Sequence, residues 1–227
     1  MKKSVLLIAI FAGMSMSVLA QGRPDPQVPQ GENLKVPEGW EVRTDQPMED
    51  LTISDDPESG DLYFVNMTPG WHITTGPRGI FWHPANEASG IFKVHTKLHY
   101  FDPNGRNREG YGLFFGGKNL KADNQEYIYF LLRNTGDFLI KKRSGSETSV
   151  IKDWTASSQI KVFGEDTETS VENNLEVSVN AGMMKFFING KEVFSIGTDG
   201  LDPEGIFGLR VNHAVNLHIE DLGLAER

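Results

Sequence analysis

The chain has 227 residues, a net charge of −9 at neutral pH and no cysteine. An acidic balance argues against nucleic acid and anionic membrane surfaces as partners. Without cysteine there are no disulfide staples, thiol nucleophiles or Cys-ligated zinc.

The N-terminal segment, MKKSVLLIAIFAGMSMSVLA, has the layout of an export signal. Lys2 and Lys3 supply the positive start, residues 5–14 the apolar centre and Val18-Leu19-Ala20 the small-residue cleavage site. The apolar run falls short of the roughly 20 residues that span a bilayer. Cleavage after Ala20, no stable membrane insertion afterwards, and a periplasmic or secreted location are therefore expected. Residues 21–40 are rich in Pro, Gln and Gly and read as a flexible leader. Residues 41–227 are long enough for one β-sandwich domain.

From Asp61 onward the chain is punctuated like a β-protein. Residues 62–67 (LYFVNM) and 79–82 (GIFW) are short β-forming runs separated by Gly70 and Gly76-Pro77. Residues 91–101 alternate: Phe92, Val94, Thr96 and Leu98 share one face, and Lys93, His95, Lys97 and His99 the other. Asp102-Pro103-Asn104-Gly105 is a turn.

The stretch 109–143 predicts three consecutive antiparallel strands. In EYIYFLLR, Ile128, Phe130 and Leu132 form an apolar core face, while Tyr127, Tyr129, Leu131 and Arg133 form the opposite one. Asn134-Thr135-Gly136-Asp137 turns the chain back into FLIKKR, where Leu139, Lys141 and Arg143 share a parity. Residues 144–174 read as a polar connection holding Trp154 and Ile160. Leu175, Val177 and Val179 then alternate with polar residues, and Asn180-Ala181-Gly182 and Asn189-Gly190 close two hairpins. Residues 205–213 and 216–224 complete the domain. With no helical periodicity, the fold class expected is all-β, a two-sheet antiparallel sandwich.

The segments YIYFLLRNTGDFLIKKR, FFINGKEVFSI and GIFGLRVNH followed by NLHIEDL resemble the concanavalin A-like lectin/glucanase superfamily. That resemblance implies a jelly roll of two curved sheets and carbohydrate recognition on the concave one. Glucanases of that superfamily carry E-x-D-x-E or E-x-D-x-x-E strand motifs, which set two carboxyl groups about 5–5.5 Å apart. Glu165-Asp166-Thr167-Glu168 and Glu220-Asp221 do not match either pattern. A lectin-like domain without catalysis is therefore expected. The alternatives are a glycan-active hydrolase with Glu109 as its acid or base, and a domain that binds another protein.

No His-Glu-x-x-His occurs, and His95 and His99 lie about 13 Å apart along a strand, too far to share one ion. His213 and His218 flank a turn at Ala214-Val215 and read as two hydrogen-bonded structural histidines, with a pair that faces each other as the alternative. No metal or cofactor is expected. The candidate ligand site is the second face of the 109–143 sheet, with Glu109, Tyr127, Tyr129, Arg133, Lys141, Arg143, Arg210 and Asn212. Tyrosine platforms suit the apolar faces of sugar rings. Four basic groups suit an acidic glycan, with Glu109 neutralising one of them. The alternative for this face is an ordinary solvated one, its cations paired with Glu109, Glu126 and Asp137.

Overall fold

The computed structural model describes residues 34–225. The expected export signal and most of the expected leader lie outside them. The described residues form fifteen strands and no helix. The first five are β1 (Glu41–Thr44), β2 (Ile53–Ser54), β3 (Leu62–Asn66), β4 (Trp71–Thr75) and β5 (Gly79–Ala88). Then come β6 (Phe92–Phe101), β7 (Gly110–Lys118), β8 (Glu126–Arg133), β9 (Asp137–Ser144) and β10 (Glu147–Ala156). The last are β11 (Ser170–Asn180), β12 (Met183–Ile188), β13 (Lys191–Gly197), β14 (Gly205–Val211) and β15 (Asn216–Leu224).

The seven-stranded sheet runs β1-β5-β14-β7-β8-β9-β10, and the eight-stranded sheet β13-β12-β11-β6-β15-β4-β3-β2. Among the described residues only β2 and β3 pair in parallel. The protein is an all-β jelly-roll sandwich, as its turn spacing predicts. β7, β8 and β9 are the three consecutive strands of 109–143. At the two hairpins, Ala181, Gly182, Asn189 and Gly190 all take positive φ, as a tight primed turn demands.

The inner faces follow the alternation. Ile128, Phe130 and Leu132 from β8 meet Phe186 from β12, with Phe130 and Phe186 ring centroids 5.3 Å apart. Tyr100 and Tyr111 stack at 4.4 Å and join the two sheets. Each such fully buried side chain stabilises the sandwich by roughly 1.5–3 kcal/mol. Gly112 in β7 is required sterically, because a Cβ there would lie 2.1 Å from the carbonyl oxygen of Phe130 on β8.

One local reading is corrected, and one alternative is set aside. The polar connection 144–174 contains a strand, β10, which pairs with β9 at the edge of the seven-stranded sheet. Its hydrophobic pattern is hidden by two register shifts, which break the period of two. His213 and His218 do not face each other. His213 Nδ1 lies 3.3 Å from the Gly76 carbonyl oxygen, whereas His218 pairs across the sheet with His72 and His99.

Candidate functional site

The second face of the seven-stranded sheet gathers most of the residues singled out from the sequence. Register places Tyr127 opposite Arg143, Tyr129 opposite Lys141, and Arg133 opposite Gly110 and Asp137. Arg210 on β14 lies opposite Gly112, and Asn212 follows two residues later. Glu109 is not with them. It precedes β7, and its carboxylate acts on Tyr100, which belongs to the core between the sheets.

The protein itself occupies most of this face. Ile80, Trp82, Phe114, Leu120, Tyr127, Tyr129, Leu131 and Leu139 form a second buried cluster. Tyr127 is 2% exposed and Tyr129 7%. The Nη1 of Arg43 on β1 donates to the carbonyls of Leu120 and Ala122 at 3.0 and 2.7 Å, tying the β7–β8 connection to the far edge of the sheet. The partner of Arg210 is Asp45, beyond β1, through two hydrogen bonds of 2.5 and 2.7 Å. Arg78 adds an ion pair to Asp45 at 3.0 Å. Burial alone would push the Asp45 carboxyl up. The hydrogen bonds and charge of Arg210, with Arg143 and Arg78 nearby, outweigh it and hold the group below its ordinary value. Arg133 bonds Asp137 at 3.1 Å and lies 4.2 Å over the Trp154 ring. Lys141 and Arg143 are half-buried at the border toward β10. Among the described residues, neither has a carboxylate within ion-pair distance.

The open concavity lies on the other sheet. A groove of about 920 Å³ crosses β15, β6, β11 and β12 on the outer face of the eight-stranded sheet. β6 contributes Lys93, His95 and Lys97, and β11 contributes Asn174 and Glu176. Phe187 of β12 stands beside Glu176, and Asn189, Lys161 and Asp221 form the rims. The rims are held by side-chain clips. Asn173 accepts from the Lys161 amide at 2.9 Å and donates to its carbonyl at 2.8 Å. Asn189 Nδ2 donates to Gln159 O at 2.7 Å and to Asn173 Oδ1 at 3.0 Å.

The groove's carboxylates are already paired. Glu176 meets Lys93 at 3.1 Å, and Lys97 lies 3.3 Å from Glu220 and 3.7 Å from Asp221. Burial raises the Glu220 carboxyl, but Lys97 and His99 outweigh it, and the group sits below its ordinary value. A general acid needs the opposite shift. His95 Nδ1, by contrast, is buried in the groove with no hydrogen-bond partner.

Beside the groove, His72, His218 and His99 form one cross-strand row. Glu220 Oε1 lies 3.1 Å from His99 Nε2 and 3.4 Å from His218 Nε2. Among the described residues, no three His, Asp or Glu side chains are placed to hold a metal ion.

Sequence reasoning placed Lys93, His95 and Lys97 correctly on one strand face but assigned that face no ligand. One signal was available. Phe187 stands on the solvent parity of its hairpin, next to the core residue Phe186, and an aromatic out of phase with its core marks a contact surface.

No family model and no curated protein matches the chain. Among solved structures, it is similar to the carbohydrate binding module CBM66 from Bacillus subtilis, with 15% identity and a TM-score of 0.57. That alignment covers 86% of this chain and 98% of the module. A Bacillus subtilis protein of unknown function with a galectin-like fold aligns at 14% identity and a TM-score of 0.48, over 83% of this chain and 90% of its own. The chain is thus a two-sheet jelly-roll sandwich that shares its fold with that module.

Proposed function

We propose that the protein is an exported carbohydrate-binding domain whose ligand lies in the groove across β6, β11 and β12. The observation that carries this reading is the groove itself. It is open, about 920 Å³ in volume, and combines one aromatic ring with amide, imidazole and paired charged groups. That volume lies within the ordinary range of ligand sites. Phe187 offers a platform for the apolar face of a sugar ring, and Asn174, His95 and Glu176 offer donors and acceptors for its hydroxyls. The lysine-paired carboxylates suit fixed acceptors rather than an acid–base couple, so binding without hydrolysis is the reading adopted. A glycan array, with hydrolysis products followed in parallel, tests it. Binding is expected without turnover, with Phe187→Ala and Asn174→Ala each losing affinity. Failure of every glycan to bind would overturn the proposal, and turnover would replace it with a hydrolase.

A second reading keeps the basic face of the seven-stranded sheet. Among the described residues Lys141 and Arg143 lack carboxylate partners there, and Tyr127, Tyr129, Arg133, Arg210 and Asn212 stand behind them. An acidic glycan docking on Lys141 and Arg143 would be released by salt, because such exposed pairing is screened. Arg143→Ala would then abolish binding that Phe187→Ala spares.

A further inference from the structure

The groove does not end at Lys93. A second concavity of about 700 Å³ continues from it and shares Lys93 and Ala225 as lining residues. It is bordered by Glu87, Ser89, Ile91, Ser178, Asn180 and Leu224. Register shows how the two halves join. Lys97 lies opposite Asn174, His95 opposite Glu176, and Lys93 opposite Ser178, so each cross-strand pair is one step further along the same two strands. Ile91 and Asn180 continue the series at its far end. The two concavities together therefore extend along β6 and β11. From Lys97 to Ile91 the chain advances roughly 20 Å at strand rise.

The chemistry changes along this length. The near half holds Phe187, His95, Asn174 and the lysine–carboxylate pairs. In the far half, Ile91 is 59% exposed and Leu224 45%, with the polar side chains of Ser178 and Asn180 on the flanking strand β11. The far wall is fixed in place, since the Ala225 amide donates to the Lys93 carbonyl at 2.9 Å. Two exposed aliphatic side chains flanked by hydroxyl and amide groups suit the apolar faces and hydroxyl edges of a sugar chain.

We infer that the ligand is an extended oligosaccharide lying along β6, held at its near end by the Phe187 half and further along by Ile91 and Leu224. This rests on the carbohydrate-binding reading of the near half and adds to it the class of ligand, a chain rather than a single terminal sugar. A sugar bound only beside Phe187 would leave the far aliphatic pair in water. Each additional unit that covers it adds apolar burial without a second loss of translational freedom.

The test measures affinity against chain length by titration calorimetry. The probes are cello-, xylo-, laminari- and fructo-oligosaccharides and oligouronates, each from the mono- to the hexasaccharide. In the series that binds, affinity is expected to rise roughly tenfold or more from disaccharide to hexasaccharide. The Ile91→Ser, Leu224→Ser double variant is expected to bring hexasaccharide affinity down to that of the disaccharide on the unaltered protein. Both side chains are exposed, and an unchanged melting temperature confirms that the variant is folded. Equal affinity for short and long members would overturn the inference and leave the carbohydrate reading standing. A length dependence that survives in the double variant would overturn the role given to Ile91 and Leu224. Binding of no member of any series would overturn the inference together with the reading beneath it.

Discussion

Asp45 holds Arg210 in a two-point ion pair, with oxygen–nitrogen distances of 2.5 and 2.7 Å, against a sheet face that has only 5% of Arg210 exposed. The guanidinium lies 5.6 Å from the Tyr129 ring and is buried with its Nε unpartnered. A buried pair of this kind adds little over an apolar substitute, but removing one partner strands the other. Asp45→Asn is therefore expected to cost about 3–5 kcal/mol in urea denaturation. Glu109→Gln, remote from Arg210, is expected to change stability by less than about 0.5 kcal/mol. A large loss in the Glu109 variant would mean that the charge of Arg210 is balanced elsewhere.

The fold was legible because its signals are local. The period-two pattern of β6, β8 and β11 and the Asn-Gly turn at Asn189 each speak for a strand or hairpin within a few residues. The site was less legible because its key relationships are distant. Asp45 meets Arg210 across 165 positions of chain, and nothing near Asp45 announces a strand face it will neutralise. Alternation assigned Tyr127 and Tyr129 to the correct side of β8. It could not show that Arg43 would draw the β7–β8 connection over that side and close it. β10 was missed because its two register shifts disrupt the alternation that defines a strand in sequence.

The closure of that face changes what alanine substitutions should show. Phe130 is fully buried between the sheets, so Phe130→Ala is expected to cost about 3–5 kcal/mol. Tyr129 faces the other way but is also buried, packed with Tyr127 and beside Arg210. Tyr129→Ala is accordingly expected to lose more than about 2 kcal/mol, well beyond a surface change. Equilibrium unfolding of the two variants would show an open groove instead if Tyr129→Ala were nearly neutral.

Asn173 is wholly buried and satisfies three partners: the amide and carbonyl of Lys161 and the side chain of Asn189. Asn173→Ala would remove all three bonds, leaving Asn189 its bond to Gln159 O, and each buried polar group left unpaired costs about 1–3 kcal/mol. A stability loss of at least about 2 kcal/mol is expected. Lys161 and Asn189 also rim the groove, so the same variant should weaken glycan binding more than its exposed neighbour Lys161→Ala does. Calorimetry on the folded variant at low temperature separates the two effects. A variant that is destabilised but binds normally would show that the rim is not part of the ligand contact.

The histidine row gives the fold an acid limit. His72 is 1% exposed, between Tyr63 and Phe101 at ring distances of 6.0 and 5.5 Å. Burial, helped by the charge of His218 and opposed by Asn216, pushes its pKa down to about 4. His218 is lowered too, by burial and by His99, against the opposing pull of Glu220. A histidine whose folded pKa lies below its unfolded value of about 6.5 binds fewer protons folded than unfolded between those two values. Its contribution is complete above about pH 6.5 and is lost as the pH falls toward 4. One pKa step is worth about 1.4 kcal/mol, so the share of His72 alone is up to about 3 kcal/mol. Asp45, with its depressed carboxyl pKa, acts only at still lower pH and does not obscure this window. Urea midpoints at pH 7.5, 5.5 and 4.5 should therefore fall steeply for the unaltered protein and more gently for His72→Phe, which keeps an aromatic ring among Tyr63 and Phe101. Parallel declines in the two proteins would place the acid sensitivity elsewhere in the sandwich.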